Sequence, residues 1–149
     1  MYTIDNLKQL RQQTGVSFSL CKKALEQSNG DLNKAKKILC KWGAEISLAK
    51  TQKVTNEGSL FSYLHHNKKI GALLELLCET DFVAKNADFQ KLGQQLVMQI
   101  ASMNPKNVKE LLNQAYIKDL SKTIDNLIKE YILKIGENIK IGRFVRYEI

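Results

Sequence analysis

The apolar residues of this chain change their spacing at Gly58, and that switch limits the fold more than any other feature. Upstream they recur every three or four positions, as one face of a helix requires. Thr3 can cap a first helix bearing Ile4, Leu7 and Leu10, ended by Thr14-Gly15. Ser17 can cap a second, with Leu20 or Cys21, Ala24 and Leu25 inward, closed by Asn29-Gly30. Asp31 can cap a third carrying Leu32, Ala35, Ile38, Leu39 and Trp42, with Gly43 predicted as its stop. Beyond Gly43 the helical spacing lapses.

Downstream, Leu60, Ser62 and Leu64 alternate with Phe61, Tyr63 and His65, the pattern of a strand. His66-Asn67-Lys68-Lys69 supplies a turn, and residues 70–79 read as the return strand. On it Ala72, Leu74, Leu76 and Cys78 share one face, while Glu75 and Glu79 are predicted to face solvent. Phe89, Leu92, Leu96, Val97, Ile100 and Ala101 restore helical spacing as far as Asn104-Pro105. Val108, Leu111, Leu112 and Ala115 mark another helix; Ile124, Leu127, Ile128 and Tyr131 mark one more, running to Gly136. Ile139, Ile141, Val145, Tyr147 and Ile149 then alternate with Lys140, Arg146 and Glu148 as a closing strand. The predicted class is α+β. Residues 1–48 form a three-helix module, 49–57 a polar connector, and 58–149 a core of about three antiparallel strands packed on helices.

Charge divides along the same line. The 149 residues include 23 Lys or Arg against 15 Asp or Glu, a formal net charge of +8. Residues 1–53 hold ten basic and four acidic side chains, and so most of the excess. A basic front module suits a polyanion, nucleic acid above all; equally, lysines can simply solvate the outer faces of short helices. These helices lack interleaved aromatic and basic residues, and Trp42 lies on the apolar face. No apolar stretch approaches the ~20 residues of a membrane span, and the opening residues carry no secretory pattern. No membrane association is expected. Cys21, Cys40 and Cys78 are odd in number and widely spaced, which predicts small buried hydrophobes in a reducing compartment.

Catalytic patterns are missing. There is no phosphate loop, GxGxxG, HExxH or GxSxG. His65 and His66, as strand neighbours, should point to opposite faces and make poor joint ligands. Glu75 and Glu79, four apart on a strand, would stand ~13 Å from each other, too far to share a substrate. No catalytic residue, metal ligand or cofactor is predicted. One segment stands out: Asp81-Phe82, between a strand end and a helix start. Phe82 either folds under the next helix as core or is presented to a partner's pocket, where exposed aromatics concentrate binding energy.

Three blocks of sequence bear on that choice. Leu10-Arg11-Gln12-Gln13-Thr14-Gly15, Cys21-Lys22-Lys23-Ala24-Leu25-Glu26 and Asn29-Gly30-Asp31 together resemble the N-terminal module of the bacterial elongation factor Ts family. Cys78-Glu79-Thr80-Asp81-Phe82-Val83-Ala84-Lys85 resembles that family's most characteristic segment, and Lys134-Ile135-Gly136-Glu137-Asn138-Ile139 is similar to its closing motif. The resemblance implies a guanine-nucleotide exchange factor, not an enzyme, whose partner is elongation factor Tu in its GDP-bound and nucleotide-free states. It implies a ubiquitin-associated-like docking module, with Arg11, Phe18, Ser19 and Lys22 on its face and Lys50 in the connector. It implies that Thr80, Asp81, Phe82 and Val83 displace the partner's magnesium, and that Ile135 and Gly136 make a second core contact. No cofactor and no specific nucleic acid are implied, and the location is the cytoplasm, or an organellar matrix or stroma if organelle-encoded. Phe18-Ser19-Leu20 stands where the family commonly has Met-Met-Asp. A single core subdomain, where longer members carry two, implies a homodimer. The alternative function is a small basic nucleic-acid-binding protein using residues 1–53.

Overall fold

The computed structural model describes residues 1–50 and 53–149, with Ser47 and Lys50 described by backbone alone. Part of the predicted connector, and the side chain of Lys50, thus lie outside the described residues. The first three helices are α1 (Ile4–Thr14), α2 (Phe18–Gln27) and α3 (Leu32–Lys50). Their caps are the predicted ones. Thr3 Oγ1 accepts from Asn6 N at 3.1 Å, Ser17 Oγ from Leu20 N at 3.4 Å, and Asp31 Oδ1 from Asn33 N and Lys34 N at 2.9 and 3.0 Å. Gly15 ends α1 in the left-handed region, at φ 66°. Leu7, Leu10, Val16, Cys21, Ala24, Leu25, Ala35 and Leu39 form a small buried core between these helices.

Gly43 does not end the third helix. It is buried within α3, where a Cβ would lie 3.2 Å from the Lys129 carbonyl oxygen and 3.5 Å from Leu133 Cβ. Its missing side chain lets α3 approach a later helix closely, so the chain continues helical to Lys50. Ile46, in the stretch where the apolar spacing lapses, packs against both hydrophobic cores of the molecule.

Beyond it lie β1 (Glu57–Leu64), β2 (Ile70–Cys78), α4 (Asp81–Ala84), α5 (Ala87–Met103), α6 (Val108–Asn113), β3 (Ala115–Tyr116), β4 (Asp119–Thr123), α7 (Ile124–Ile135) and β5 (Ile139–Glu148). An antiparallel sheet of order β1-β2-β5 buries Phe61, Leu74, Leu76, Cys78, Ile139 and Ile141 against α5 and α7. The fold is α+β, helices first and then a three-stranded sheet packed on helices. Leu133 of α7 turns the other way and joins the N-terminal core. α7 therefore serves both.

The closing strand departs from simple alternation. Leu74 faces Phe144 while Leu76 faces Ile141, so Glu75 is opposed by two residues, Gly142 and Arg143. Glu75 is accordingly not a plain solvent-facing side chain. Its carboxylate accepts from Arg143 N at 3.0 Å, Nε at 3.2 Å and Nη2 at 2.8 Å, and the arginine holds the carboxyl below its usual range. The extra residue reverses which face the rest of the strand shows. Ile139 and Ile141 are buried, whereas Val145 and Tyr147 lie on the outer face with Leu60, Leu64 and Leu73.

Other expectations need correction. Helix α6 stops at Asn113, so Ala115 belongs to a β3–β4 hairpin that apolar spacing did not reveal. Gln99, fully buried, anchors it: Nε2 donates to Gln114 Oε1 at 3.2 Å and Ala115 O at 3.0 Å, while Oε1 accepts from Ile117 N at 3.0 Å. Strand β1 ends at Leu64, leaving His65 and His66 in the turn with ring centroids 4.1 Å apart rather than on opposite faces. Cys40 is exposed, unlike Cys21 and Cys78.

Helix α5 and strand β1 meet at Gly93, where a Cβ would overlap the ring of the buried Phe61. Alanine favours helix by about 1 kcal/mol over glycine, but overpacking typically costs ~1–3 kcal/mol. Gly93→Ala should therefore destabilise on balance, read as a lower midpoint in urea unfolding.

Candidate functional site: the turn that carries Phe82

Strand β2 ends at Cys78, and the chain turns into a single helical turn. Thr80 is its N-cap, accepting from Val83 N at 3.3 Å. Ala84 is buried and Val83 packs against the main core, so this side of the turn faces inward. The Ala84 carbonyl accepts from Gln90 Nε2 at 2.6 Å and Ser59 Oγ at 3.3 Å, which ties the turn to α5 and β1. With Val83 and Ala84 held inward, Phe82 must point out. It is 90% exposed, which excludes the core alternative. Asp81, also exposed, accepts from Lys85 Nζ at 2.7 Å, and that pair raises the lysine's pKa. Exposed pairs of this kind hold little free energy.

A carboxylate from a distant part of the chain reaches this corner. Glu137 Oε1 accepts from Glu79 N at 3.2 Å and Thr80 N at 3.0 Å, and Oε2 accepts from Thr80 Oγ1 at 2.7 Å. Glu79 Oε1 in return accepts from Asn138 N at 3.0 Å. Glu79 is thus engaged with the backbone rather than turned to solvent. These bonds set residues 80–83 beside Ile135 and Gly136, the last residue of α7 and its left-handed cap at φ 86°. Ile135 packs partly into the core and Gly136 is exposed, with open space where a Cβ would lie. Beneath the corner, the Cys78 thiol donates to Thr80 O at 3.2 Å, and burial pushes its pKa up to about 11.

The other predicted residues lie on the N-terminal helices. Arg11, Phe18, Ser19 and Lys22 are all exposed, and the Arg11 guanidinium sits 5.8 Å from the Phe18 ring centroid. Phe18 and Lys22 are four apart on α2 and share a face. Lys50 ends α3, with its side chain outside the described residues. The end of α7 lies between the two groups: Lys134 packs against Gly15 and pairs with Asp88 at 3.2 Å, one turn from Glu137. An open cleft of about 560 Å³ beside α3 and α7 is lined by Lys36, Cys40, Lys122, Lys129 and Glu130 among others. Its charges are largely paired, Lys122 with Glu130 at 3.0 Å and Lys129 with Asp125 at 2.7 Å. Among the described residues, no three His, Cys, Asp or Glu side chains gather around a possible metal position.

The turn leaves one aromatic side chain, Phe82, exposed beside the clamped Thr80, and comparison with known proteins identifies the family. A family model described as Elongation factor TS matches residues 79–149, from Glu79 to Ile149. Elongation factor Ts of Thermosipho melanesiensis is 37% identical over 194 aligned positions, covering 100% of this chain and 99% of the relative. The chain belongs to the elongation factor Ts family. Elongation factor Ts of Petrotoga mobilis is 38% identical, covering 99% of this chain and 98% of the relative; that of Thermotoga maritima is 37% identical, with 99% and 96% covered. Membership assigns the protein to the elongation phase of translation. The Thermosipho alignment runs 45 positions beyond the 149 residues here, so that relative carries internal sequence this chain lacks.

Solvent exposure makes Phe82 and the nearby Phe89 a controlled pair. Phe89 is fully buried, and Phe89→Ala should cost ~3–5 kcal/mol. Phe82→Ala should stay within ~1 kcal/mol of the parent. Parallel thermal melts of the two variants check this.

Proposed function

We propose that this protein is a guanine-nucleotide exchange factor for elongation factor Tu, with Phe82 as the side chain that intrudes beside the partner's magnesium site. The observation that carries the reading is an apolar ring 90% exposed on a turn whose Val83 and Ala84 are held inward. Exposing a phenylalanine costs free energy in the isolated protein, and a pocket that receives it returns that cost as binding. Thr80, Asp81 and Val83 shape and flank the wedge.

The chemistry belongs to the partner. Magnesium neutralises the phosphates of bound GDP, so disturbing its ligand shell loosens the nucleotide. A factor that binds the nucleotide-free partner more tightly must, by linkage, weaken nucleotide binding by the same ratio. Each tenfold of that coupling requires about 1.4 kcal/mol of differential contact. On this reading the protein binds rather than catalyses, needs no cofactor, and works in the cytoplasm or, if organelle-encoded, in a matrix or stroma.

Residues 1–48 act as the docking module through Arg11, Phe18, Ser19 and Lys22, joined by the 49–57 segment with Lys50 to the 58–149 core. Ile135 and Gly136 supply a second core contact. The outer face of the sheet suits a second copy of the chain. Leu73 lies there on the central strand, between Ser62 of β1 and Val145 of β5, with Leu60, Leu64 and Tyr147 also exposed.

Stopped-flow release of fluorescent GDP from elongation factor Tu tests the assignment. Phe82→Ala should slow saturating exchange at least about tenfold, the scale of losing one anchor residue. Phe18→Ala should raise the concentration needed while sparing the saturating rate. Parent-like exchange by folded Phe82→Ala would remove Phe82 from the mechanism; a parent that leaves GDP release unchanged but binds RNA with a steep salt dependence would favour the nucleic-acid alternative. Sedimentation at micromolar concentration should give a dimer for the parent and a monomer for Leu73→Asp; a monomeric parent overturns self-association.

A further inference from the structure

The bonds made by Glu137 exceed what the fold around it requires. Cap residue Gly136 already closes α7 by donating to Ile132 O at 2.8 Å, and Ile139 and Ile141 anchor β5 in the core. Glu137 itself is only half-buried, yet both its carboxylate oxygens are spent on residues 79 and 80. Thr80 is thereby held from every side. Its N–H and hydroxyl donate to Glu137, and its carbonyl accepts from Cys78 Sγ at 3.2 Å and Ala84 N at 3.1 Å. Because the hydroxyl proton is committed to Glu137, an oxygen lone pair is left facing Val83 N, which is the cap of the Phe82 turn. The reciprocal bond from Asn138 N to Glu79, and that from Asn138 Nδ2 to Lys53 O at 3.2 Å, brace the same corner.

We infer that Glu137 is a positioning residue for exchange: it fixes the turn presenting Phe82 and joins that turn to Ile135 and Gly136, so that the two surfaces meet the partner as one body. The inference rests on the exchange reading above. A turn already ordered before contact loses less entropy on binding than one that must be ordered by it. Charge-assisted bonds to a carboxylate are the stronger kind, which suits a side chain holding a surface turn from one side.

The experiment uses the full-length chain with Glu137→Ala, Glu137→Gln and Phe82→Ala, alone and combined. Glu137→Ala should lower saturating GDP release about tenfold, move the half-saturating concentration no more than about threefold, and leave the melting temperature near that of the parent. Hydrogen exchange of the free protein should show faster exchange at the amides of residues 79–84. Glu137→Gln keeps an oxygen for the two backbone N–H groups and should recover release to within about threefold of the parent. Added to Phe82→Ala, Glu137→Ala should have little further effect, because the side chain it positions is gone. If Phe82→Ala impairs release while Glu137→Ala does not, the inference falls and the exchange reading stands. If Phe82→Ala releases GDP like the parent, the wedge role of Phe82 and the inference fall together; if the parent itself does not speed release, the exchange reading falls. Should Glu137→Ala melt far below the parent, Glu137→Gln together with Thr80→Val decides: parent-like release in Thr80→Val, with unchanged amide protection, overturns the role.

Discussion

Helix α7 is the element on which the rest of the molecule depends, because it is buried from two directions. Ile124, Leu127, Ile128 and Ile132 fill the core under the sheet, while Leu133 enters the core of the N-terminal helices. The close crossing at Gly43 is what brings those two cores to a shared wall. Side-chain packing in such an interior transmits displacement rather than absorbing it. The N-terminal helices and the sheet are therefore not beads on a thread. A contact on the face bearing Phe18 and one on the turn bearing Phe82 are referred to a common helix, whose last turn carries Lys134 and leads directly into Glu137.

Much of the architecture was legible because it follows from local rules. The caps at Thr3, Ser17 and Asp31 each combine a side-chain acceptor with an apolar repeat, and α5 repeats its apolar residues over four turns. What escaped the sequence depended on distant partners. Gly43 has the composition of a helix stop, but its role is set by Lys129 and Leu133, which lie some ninety residues away. The β5 bulge is invisible as a pattern because its cause, Glu75, sits on another strand. Hairpin β3–β4 is too short to show alternation and is specified by a glutamine on α5.

The candidate site divides in the same way. Phe82 was readable as an anomaly, a large aromatic where neither strand nor helix can easily bury it, and the resemblance of its flanking residues indicated a use. Its outward direction follows from Val83 and Ala84 being held inward, which needs the fold. Glu137 lies within the segment Lys134-Ile135-Gly136-Glu137-Asn138-Ile139, yet nothing in one dimension connects it to Thr80. The only signal available was that a carboxylate followed a helix-ending glycine, and many surface loops share that.

The thiol of Cys78 gives the corner a further property. With a pKa pushed up to about 11, only on the order of one molecule in ten thousand carries the reactive thiolate at neutral pH. Its proton is committed to the Thr80 carbonyl and its sulfur is sealed beneath the sheet. Oxidation by peroxide begins with attack by a thiolate, which is almost absent there; Cys40 is open to solvent, although partial burial and Glu130 raise its pKa as well. The sulfur beside the Phe82 turn is thus far less available to oxidants than that of Cys40.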